Sequence, residues 1–212
     1  MIFKNLEVRK MNFKDSETRI NLMRSFAGES QARNRYTIAA SVARKEGLYI
    51  VEQVFNYTAN QEMAHANQFY QRLKEEAGNN IEIGNGAYPV DLYDSTIQLL
   101  KSAHHNEYEE YDDVYSNFSK IAKEEGFNAI SILFSNIASV EKIHGDRFNY
   151  FAKQLEEETL FRRDNSIQWF CTNCGYIYEG KEAPKACPVC QHPQGYFIEF
   201  CRSQFGSNYT TK

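Results

Sequence analysis

The chain has 212 residues, enough for one sizeable domain and a small one, with 28 acidic against 24 basic side chains. This balance argues against a nucleic-acid-binding surface, and no apolar run approaches the roughly 18–20 residues that cross a membrane. Four of the five cysteines form two Cys-x-x-Cys pairs, and the first ten residues lack the apolar run of a signal peptide. We therefore expect a cytoplasmic protein whose cysteines bind metal rather than form disulfides.

Apolar residues at helical spacing predict four long helices, which end in turn near Gly47, Gly78, Gly126 and Leu160. The first begins at about Asp15 or Ser16, either of which is a suitable N-cap. The third begins between Asp91 and Ser95, after a Gly-, Asn- and Pro-containing stretch that is typical of a loop. The first and last joints are short, so they predict two antiparallel hairpins. The longer middle connection predicts a crossover within a four-helix bundle.

The two predicted hairpins look like copies of one another. Six residues are matched by a residue of the same type 79 positions later, in the pairs Tyr36/Tyr115, Gly47/Gly126, Phe55/Phe134, Glu62/Glu141, His65/His144 and Phe69/Phe148. Glu29 and Glu107 are 78 positions apart, which indicates that one residue has slipped in the first half of the repeat. A duplicated hairpin predicts a pseudo-twofold axis with equivalent sites on either side.

Two Glu-x-x-His motifs, Glu62/His65 and Glu141/His144, lie on otherwise apolar helical stripes. A carboxylate and an imidazole that both point into a core are costly unless a cation neutralises them. With one glutamate from each of two further helices, Glu29 and Glu107, they match the ligand pattern of a two-metal carboxylate site in a helix bundle. The alternative is that these acids lie on helix surfaces, since Glu is common.

The third helix supplies a fifth inward carboxylate, because Glu107 and Glu110 share its apolar face while Glu109 faces solvent. Five carboxylates with one imidazole per metal favour iron or manganese over zinc. We expect Glu62 and Glu107 to bridge the two metals. The fifth carboxylate makes the two metal positions chemically unequal.

The last part of the chain carries Cys171-x-x-Cys174 and Cys187-Pro188-x-Cys190. Two such pairs can place four thiolates around one metal, and spacing alone leaves zinc and iron open, with a zinc ribbon the usual interpretation. The flanking residues CGYIY and CPVC look like rubredoxin knuckles. We expect a bundle over residues 1–160, a linker over 161–168 and a small metal-thiolate domain over 169–212.

Taken together, the chain resembles the rubrerythrins over nearly its whole length. The resemblance rests on FAGESQARNRY, NQEMAH, NEYEEY, VEKIH and the two cysteine pairs, in that order. It implies an all-α, ferritin-like four-helix bundle with a crossover connection, followed by a rubredoxin-like domain. It also implies iron ligands, with Glu29, Glu62, Glu107 and Glu110 on the first iron and Glu62, Glu107, Glu141 and His144 on the second. His65 is implied to replace Glu110 when the pair is reduced, and the four cysteines are implied to hold a mononuclear iron.

The resemblance further implies a peroxidase for oxidative stress defence, which reduces hydrogen peroxide to water. Electrons would come through the thiolate iron from an external NAD(P)H-dependent flavoprotein or rubredoxin. A head-to-tail homodimer, and possibly a tetramer, is also implied. Tyr36 and Tyr115 are candidates for contact with the ligands. The alternative function is ferroxidase or iron handling, as in ferritins.

Overall fold

A computed structural model describes residues 11–204, so the outermost parts of both expected domains, residues 1–10 and 205–212, lie outside the described residues. The helices are α1 (Glu17–Lys45), α2 (Tyr49–Gln71), α3 (Thr96–Glu109), α4 (Tyr115–Glu124) and α5 (Asn128–Glu156). The Ser16 side chain accepts a hydrogen bond from the Arg19 amide and so caps α1. Within residues 11–204, no helix is long and apolar enough to cross a membrane.

The two hairpin joints have the same geometry. Gly47 and Gly126 take positive φ angles of 75° and 86°, which glycine adopts without the steric cost of a side chain. The following amides close each helix end, from Leu48 N to Ala43 O at 2.9 Å and from Phe127 N to Ala122 O at 2.7 Å.

A glutamate at each joint also caps the first helix of the opposite hairpin. Glu46 Oε1 accepts from the Thr96 amide at 3.1 Å, and Glu125 Oε2 accepts from the Thr18 amide at 2.9 Å. These contacts tie the two hairpins together symmetrically and support the predicted duplication.

The one-residue slip in the repeat has a structural cause. Residues Glu110–Val114 form a π-helical turn between α3 and α4. A π-turn accommodates one extra residue in an otherwise α-helical segment. It therefore accounts for Glu29 and Glu107 being 78 positions apart while Tyr36 and Tyr115 are 79 apart.

Two aromatic clusters related by the repeat enclose the middle of the bundle. All six rings are nearly or fully buried, with neighbouring centroids 5.0–6.1 Å apart: Tyr36, Phe55 and Phe148 form one cluster, and Tyr115, Phe134 and Phe69 form the other. Such rings keep water from the layer between them, where the acidic residues lie.

The C-terminal module is a three-stranded antiparallel sheet in the order β2-β1-β3, with β1 at Arg162–Cys171, β2 at Ile177–Glu182 and β3 at Phe197–Glu199. The expected linker over residues 161–168 is wrong as a separate segment, because strand β1 begins at Arg162. Ile167 and Gln168 already pair with β2. The strand starts with three consecutive charged residues, Arg162, Arg163 and Asp164, and is largely exposed up to Gln168, so the sequence shows no apolar period there.

The module packs against the end of the bundle where α1 joins α2. The rings of Tyr49 and Tyr196 stack with centroids 4.3 Å apart, and Gln53 Nε2 donates to Thr172 Oγ1 at 2.9 Å. With this small domain in place, the predicted fold class is confirmed: a ferritin-like bundle followed by a rubredoxin-like domain.

Candidate metal centres

The structure brings six of the seven predicted bundle ligands together in the layer between the aromatic clusters. They form two groups of possible metal ligands, whose atoms lie within 4.8 Å of one another: Glu29, Glu62, His65 and Glu141 in the first, and Glu62, Glu107, Glu141 and His144 in the second. All are buried except His65, which is partly exposed. Four different helices contribute to this cage.

Glu62 and Glu141 belong to both groups. Each places one carboxylate oxygen near His65 and the other near His144. Glu62 Oε2 lies 3.1 Å from His65 Nδ1, and Glu62 Oε1 lies 3.0 Å from His144 Nδ1. Glu141 lies 2.9 Å from each imidazole through its two separate oxygens. A carboxylate whose oxygens face two ligand groups is arranged to bridge two cations.

The expected bridging role of Glu107 is wrong in this geometry. Glu107 belongs to the second group alone, at 3.6 Å from His144 Nδ1, and Glu141 belongs to both groups. The pseudo-twofold relation explains the difference, because it exchanges Glu62 with Glu141 and Glu29 with Glu107. The two carboxylates of the Glu-x-x-His motifs therefore lie between the groups, and the other two lie outside them.

Glu110 lies in neither group, whereas His65 lies in the first. Glu110 is half-buried at the start of the π-turn, and burial together with the charges of Glu29 and Glu107 raises the pKa of its carboxyl well above the usual range. Of the two residues that the resemblance implies for exchange at the first position, His65 therefore lies among the other donors and Glu110 does not.

The donor set fits a pair of cations. Nine of its buried oxygen and nitrogen atoms have no hydrogen-bond partner, namely Glu29 Oε2, both oxygens of Glu62 and of Glu141, Glu107 Oε2, His65 Nδ1 and both ring nitrogens of His144. Orphaned buried polar atoms are costly and rare in proteins. Two metal ions, one in each group, would provide these atoms with a partner. A ligand set of mainly oxygen with some nitrogen suits iron.

The same burial perturbs the protonation of the metal-free cage. Burial raises the pKa of Glu29 to about 7 and also raises that of Glu107 and Glu141. Burial opposes ionisation of Glu62 too, but contacts with both histidines outweigh it and lower that pKa to about 2. Contacts with Glu29 and Glu62 raise the pKa of His65 to about 10 despite burial. In the metal-free cage, protons on these side chains thus offset part of the negative charge of the carboxylates.

Two buried tyrosines hold the carboxylates that are not shared, and they do so crosswise. Tyr36 Oη on α1 donates to Glu107 Oε1 on α3, and Tyr115 Oη on α4 donates to Glu29 Oε1 on α1. The sequence flagged both as candidates for ligand contact, with an ordinary core tyrosine as the alternative. The contacts favour the first interpretation, since each hydroxyl orients one ligand.

Three further residues with reactive or charged side chains, His104, Arg33 and Cys201, lie apart from the cage. His104 Nδ1 is 3.0 Å from Gly145 O, Arg33 is exposed, and Cys201 is exposed beside Glu199. Sequence reasoning missed Arg147, which bridges α2 and α5 beside the ligands. Its position three residues after His144 was the available signal.

The four cysteines of the module converge on a second centre. Their Sγ atoms lie within 4.8 Å of one another, with Cys171 and Cys190 3.8 Å apart and Cys174 and Cys187 3.6 Å apart. A tetrahedron of sulfurs around a metal at about 2.3 Å has edges of about 3.8 Å. A backbone hydrogen bond from His192 lowers the pKa of Cys190 to about 6, whereas burial raises the pKa of Cys171 to about 12. The four side chains thus fit one tetrahedral metal.

A four-helix bundle with two carboxylate–imidazole groups joined by shared carboxylates defines a ferritin-like protein with a two-metal site, here extended by a rubredoxin-like centre. Models of the families described as "Rubrerythrin" and "Rubrerythrin, rubredoxin-like domain" match residues 21–152 and 169–198. The chain belongs to the rubrerythrin family. Its members carry a di-iron centre and one iron on four cysteines, as the resemblance implied.

Individual relatives agree with this placement. The chain is 46% identical to a rubrerythrin of Clostridium perfringens, over 89% of this chain and 97% of that one. It is 39% identical to a rubrerythrin of Nitratidesulfovibrio vulgaris, over 88% and 95%. Among solved structures, fully reduced, all-ferrous nigerythrin has a TM-score of 0.59 at 28% identity, covering 94% of this chain and 96% of that one.

Proposed function

We propose that this protein is a peroxidase that reduces hydrogen peroxide to water in the cytoplasm, as part of defence against oxidative stress. Electrons reach the bundle through the rubredoxin-like iron from an external NAD(P)H-dependent flavoprotein or rubredoxin. The reaction consumes one hydrogen peroxide, two protons and two electrons, and yields two waters. A pair of irons held by the bundle ligands would supply the two electrons that reduce the O–O bond.

The observation that carries this proposal is the surplus of ligands at one of two otherwise equivalent positions. His65 lies in the first group and Glu110 stands aside. A neutral imidazole suits a less charged metal, and a carboxylate suits a more charged one. The chain would therefore offer separate ligands for two oxidation states of the metal at the first position, which suits repeated turnover with peroxide.

We assign the ligands from these contacts. The first position takes Glu29, Glu62 and Glu141, with His65 in the reduced state and Glu110 in the oxidised state. The second takes Glu62, Glu107, Glu141 and His144. Cys171, Cys174, Cys187 and Cys190 hold the mononuclear iron.

The position of the module supports a head-to-tail homodimer. Thr172, beside Cys171, contacts Gln53 on α2. Glu62 lies nine residues further along the same helix, a rise of about 13.5 Å before any side-chain distance is added. A module from a second copy that docks beside the cage shortens the electron path.

The test is oxidation of the anaerobic, fully reduced protein, followed by stopped-flow absorbance. We expect hydrogen peroxide to oxidise the bundle iron in milliseconds to seconds, and dioxygen to do so much more slowly. A faster reaction with dioxygen would refute the proposal and favour a ferroxidase.

The electron route has its own test. We expect Cys174→Ser to abolish steady-state peroxide reduction driven by NAD(P)H and a flavoprotein, because the thiolate centre loses a ligand. Chemically reduced bundle iron should still be oxidised by one addition of peroxide. Unchanged steady-state turnover would show that electrons bypass the module.

A further inference from the structure

Helices α2 and α5, which carry one Glu-x-x-His pair each, are joined by an arginine beside the ligands. Arg147 Nη1 donates to Thr58 Oγ1 at 2.9 Å and to Gln61 Oε1 at 3.0 Å. Arg147 follows His144 by three residues, and Gln61 immediately precedes Glu62. Within residues 11–204, and apart from the ligand side chains, these are the hydrogen bonds that link α2 to α5.

The arginine is held in place rather than free in solvent. It is only partly exposed, and its Cζ lies 5.1 Å from the centroid of the Tyr57 ring. Its outer side lines a groove of about 820 Å³ between the two helices and the C-terminal module. A partly buried guanidinium needs such partners, because burial of a charge is otherwise costly.

The repeat contains no second copy of this contact. The positions related to Thr58 and Gln61 by the 79-residue offset are Ile137 and Val140, which have no polar side chain. The position related to Arg147 is Gln68, which is exposed and makes no hydrogen bond to α5 in the described part of the chain. The contact therefore distinguishes the two sides of the pseudo-twofold axis, on the side of His144.

We propose that Arg147 is a positioning residue for Glu62 and His144, because one guanidinium nitrogen, Nη1, holds the turn of α2 before Glu62 against the turn of α5 that follows His144. A guanidinium suits this role because it stays charged and each of its terminal nitrogens carries two N–H donors. The first position has no such clamp and retains the freedom that exchange between His65 and Glu110 requires.

Anaerobic Fe(II) titration of the full chain, with the thiolate site already filled, measures affinity at both bundle positions independently of turnover. Loss of a residue that orients metal ligands lowers affinity by about 10- to 100-fold. We expect the larger loss at the second position in Arg147→Gln, because Glu62 and His144 both belong to it, and a smaller loss at the first position, to which only Glu62 belongs. Glu107→Gln removes a ligand of the second position alone, so it shows which of the two measured affinities belongs to that position. Arg33→Gln, a change of the same charge on an exposed face, should leave both unchanged.

Two further variants separate geometry from charge and stability. Arg147→Lys keeps the charge and one donor nitrogen, so it should bind iron more tightly than Arg147→Gln. Gln61→Met removes the same contact from the side of α2. It provides the test if Arg147→Gln does not fold. The double variant should lose no more than Arg147→Gln alone, since both changes remove the same contact.

Three results would overturn the proposal. The first is equal weakening at both positions. The second is a lowered Tm of the metal-free protein with unchanged affinity per folded molecule, which indicates a merely structural role. The third is tighter iron binding in Arg147→Gln than in the unaltered protein, because it shows that the positive charge opposes metal binding more than the contact supports it.

Discussion

The crosswise tyrosines allow the two metal positions to be perturbed one at a time. Tyr36→Phe removes the hydroxyl that donates to Glu107, a member of the second group alone. Tyr115→Phe removes the hydroxyl that donates to Glu29, a member of the first group alone. Each variant is therefore the matched control of the other.

The expected size of the effect follows from these contacts. A hydrogen bond to a charged group contributes about 1.5–3 kcal/mol. At about 1.4 kcal/mol per factor of ten, this corresponds to roughly 10- to 140-fold in affinity. Changes to groups that orient metal ligands cost about 10- to 100-fold, which agrees. Both tyrosines are nearly fully buried, and phenylalanine fills the same ring space, so no large cavity adds to the effect.

The assay is anaerobic metal titration monitored by calorimetry, together with thermal unfolding of the metal-free proteins to confirm folding. We expect Tyr36→Phe to weaken the second position and Tyr115→Phe to weaken the first, each by about 10- to 100-fold. If both variants weaken the same position, or if neither changes affinity, the crosswise assignment is refuted.

Three further predictions concern the ligands. Glu141→Gln should weaken binding at both positions, whereas Glu107→Gln should weaken one, and metal analysis after dialysis distinguishes these outcomes. His65→Gln should leave the oxidised site largely formed but slow turnover with peroxide, so loss of iron from the oxidised protein contradicts its role. Since the pKa of Glu29 is raised to about 7 and that of His65 to about 10 in the metal-free cage, both are substantially protonated at neutral pH. Metal binding should then release protons and weaken as the pH falls through 7, by about tenfold per pH unit for each proton released, and absence of proton release in unbuffered solution argues against these shifts.

The sequence determined the architecture because its signals are local and repeated. Helical periodicity, two glycine-marked joints and the 79-residue offset are properties of neighbouring residues, and they predicted the bundle and its duplication. Residue chemistry likewise identified the donors, since carboxylates and imidazoles on apolar stripes require a cation, and paired cysteines at this spacing require a metal.

The tertiary structure decided which donors face each other. Helical spacing places Glu62, Glu107 and Glu141 alike on inward faces, so only the packing of α2 against α5 shows that Glu62 and Glu141 are shared and that Glu107 lies to one side. The tertiary structure also revealed the π-turn that accommodates the extra residue of the second repeat, and the contact of Arg147 that joins α2 and α5. Such contacts join residues far apart in the chain, and their geometry depends on how whole helices pack, which no local pattern encodes.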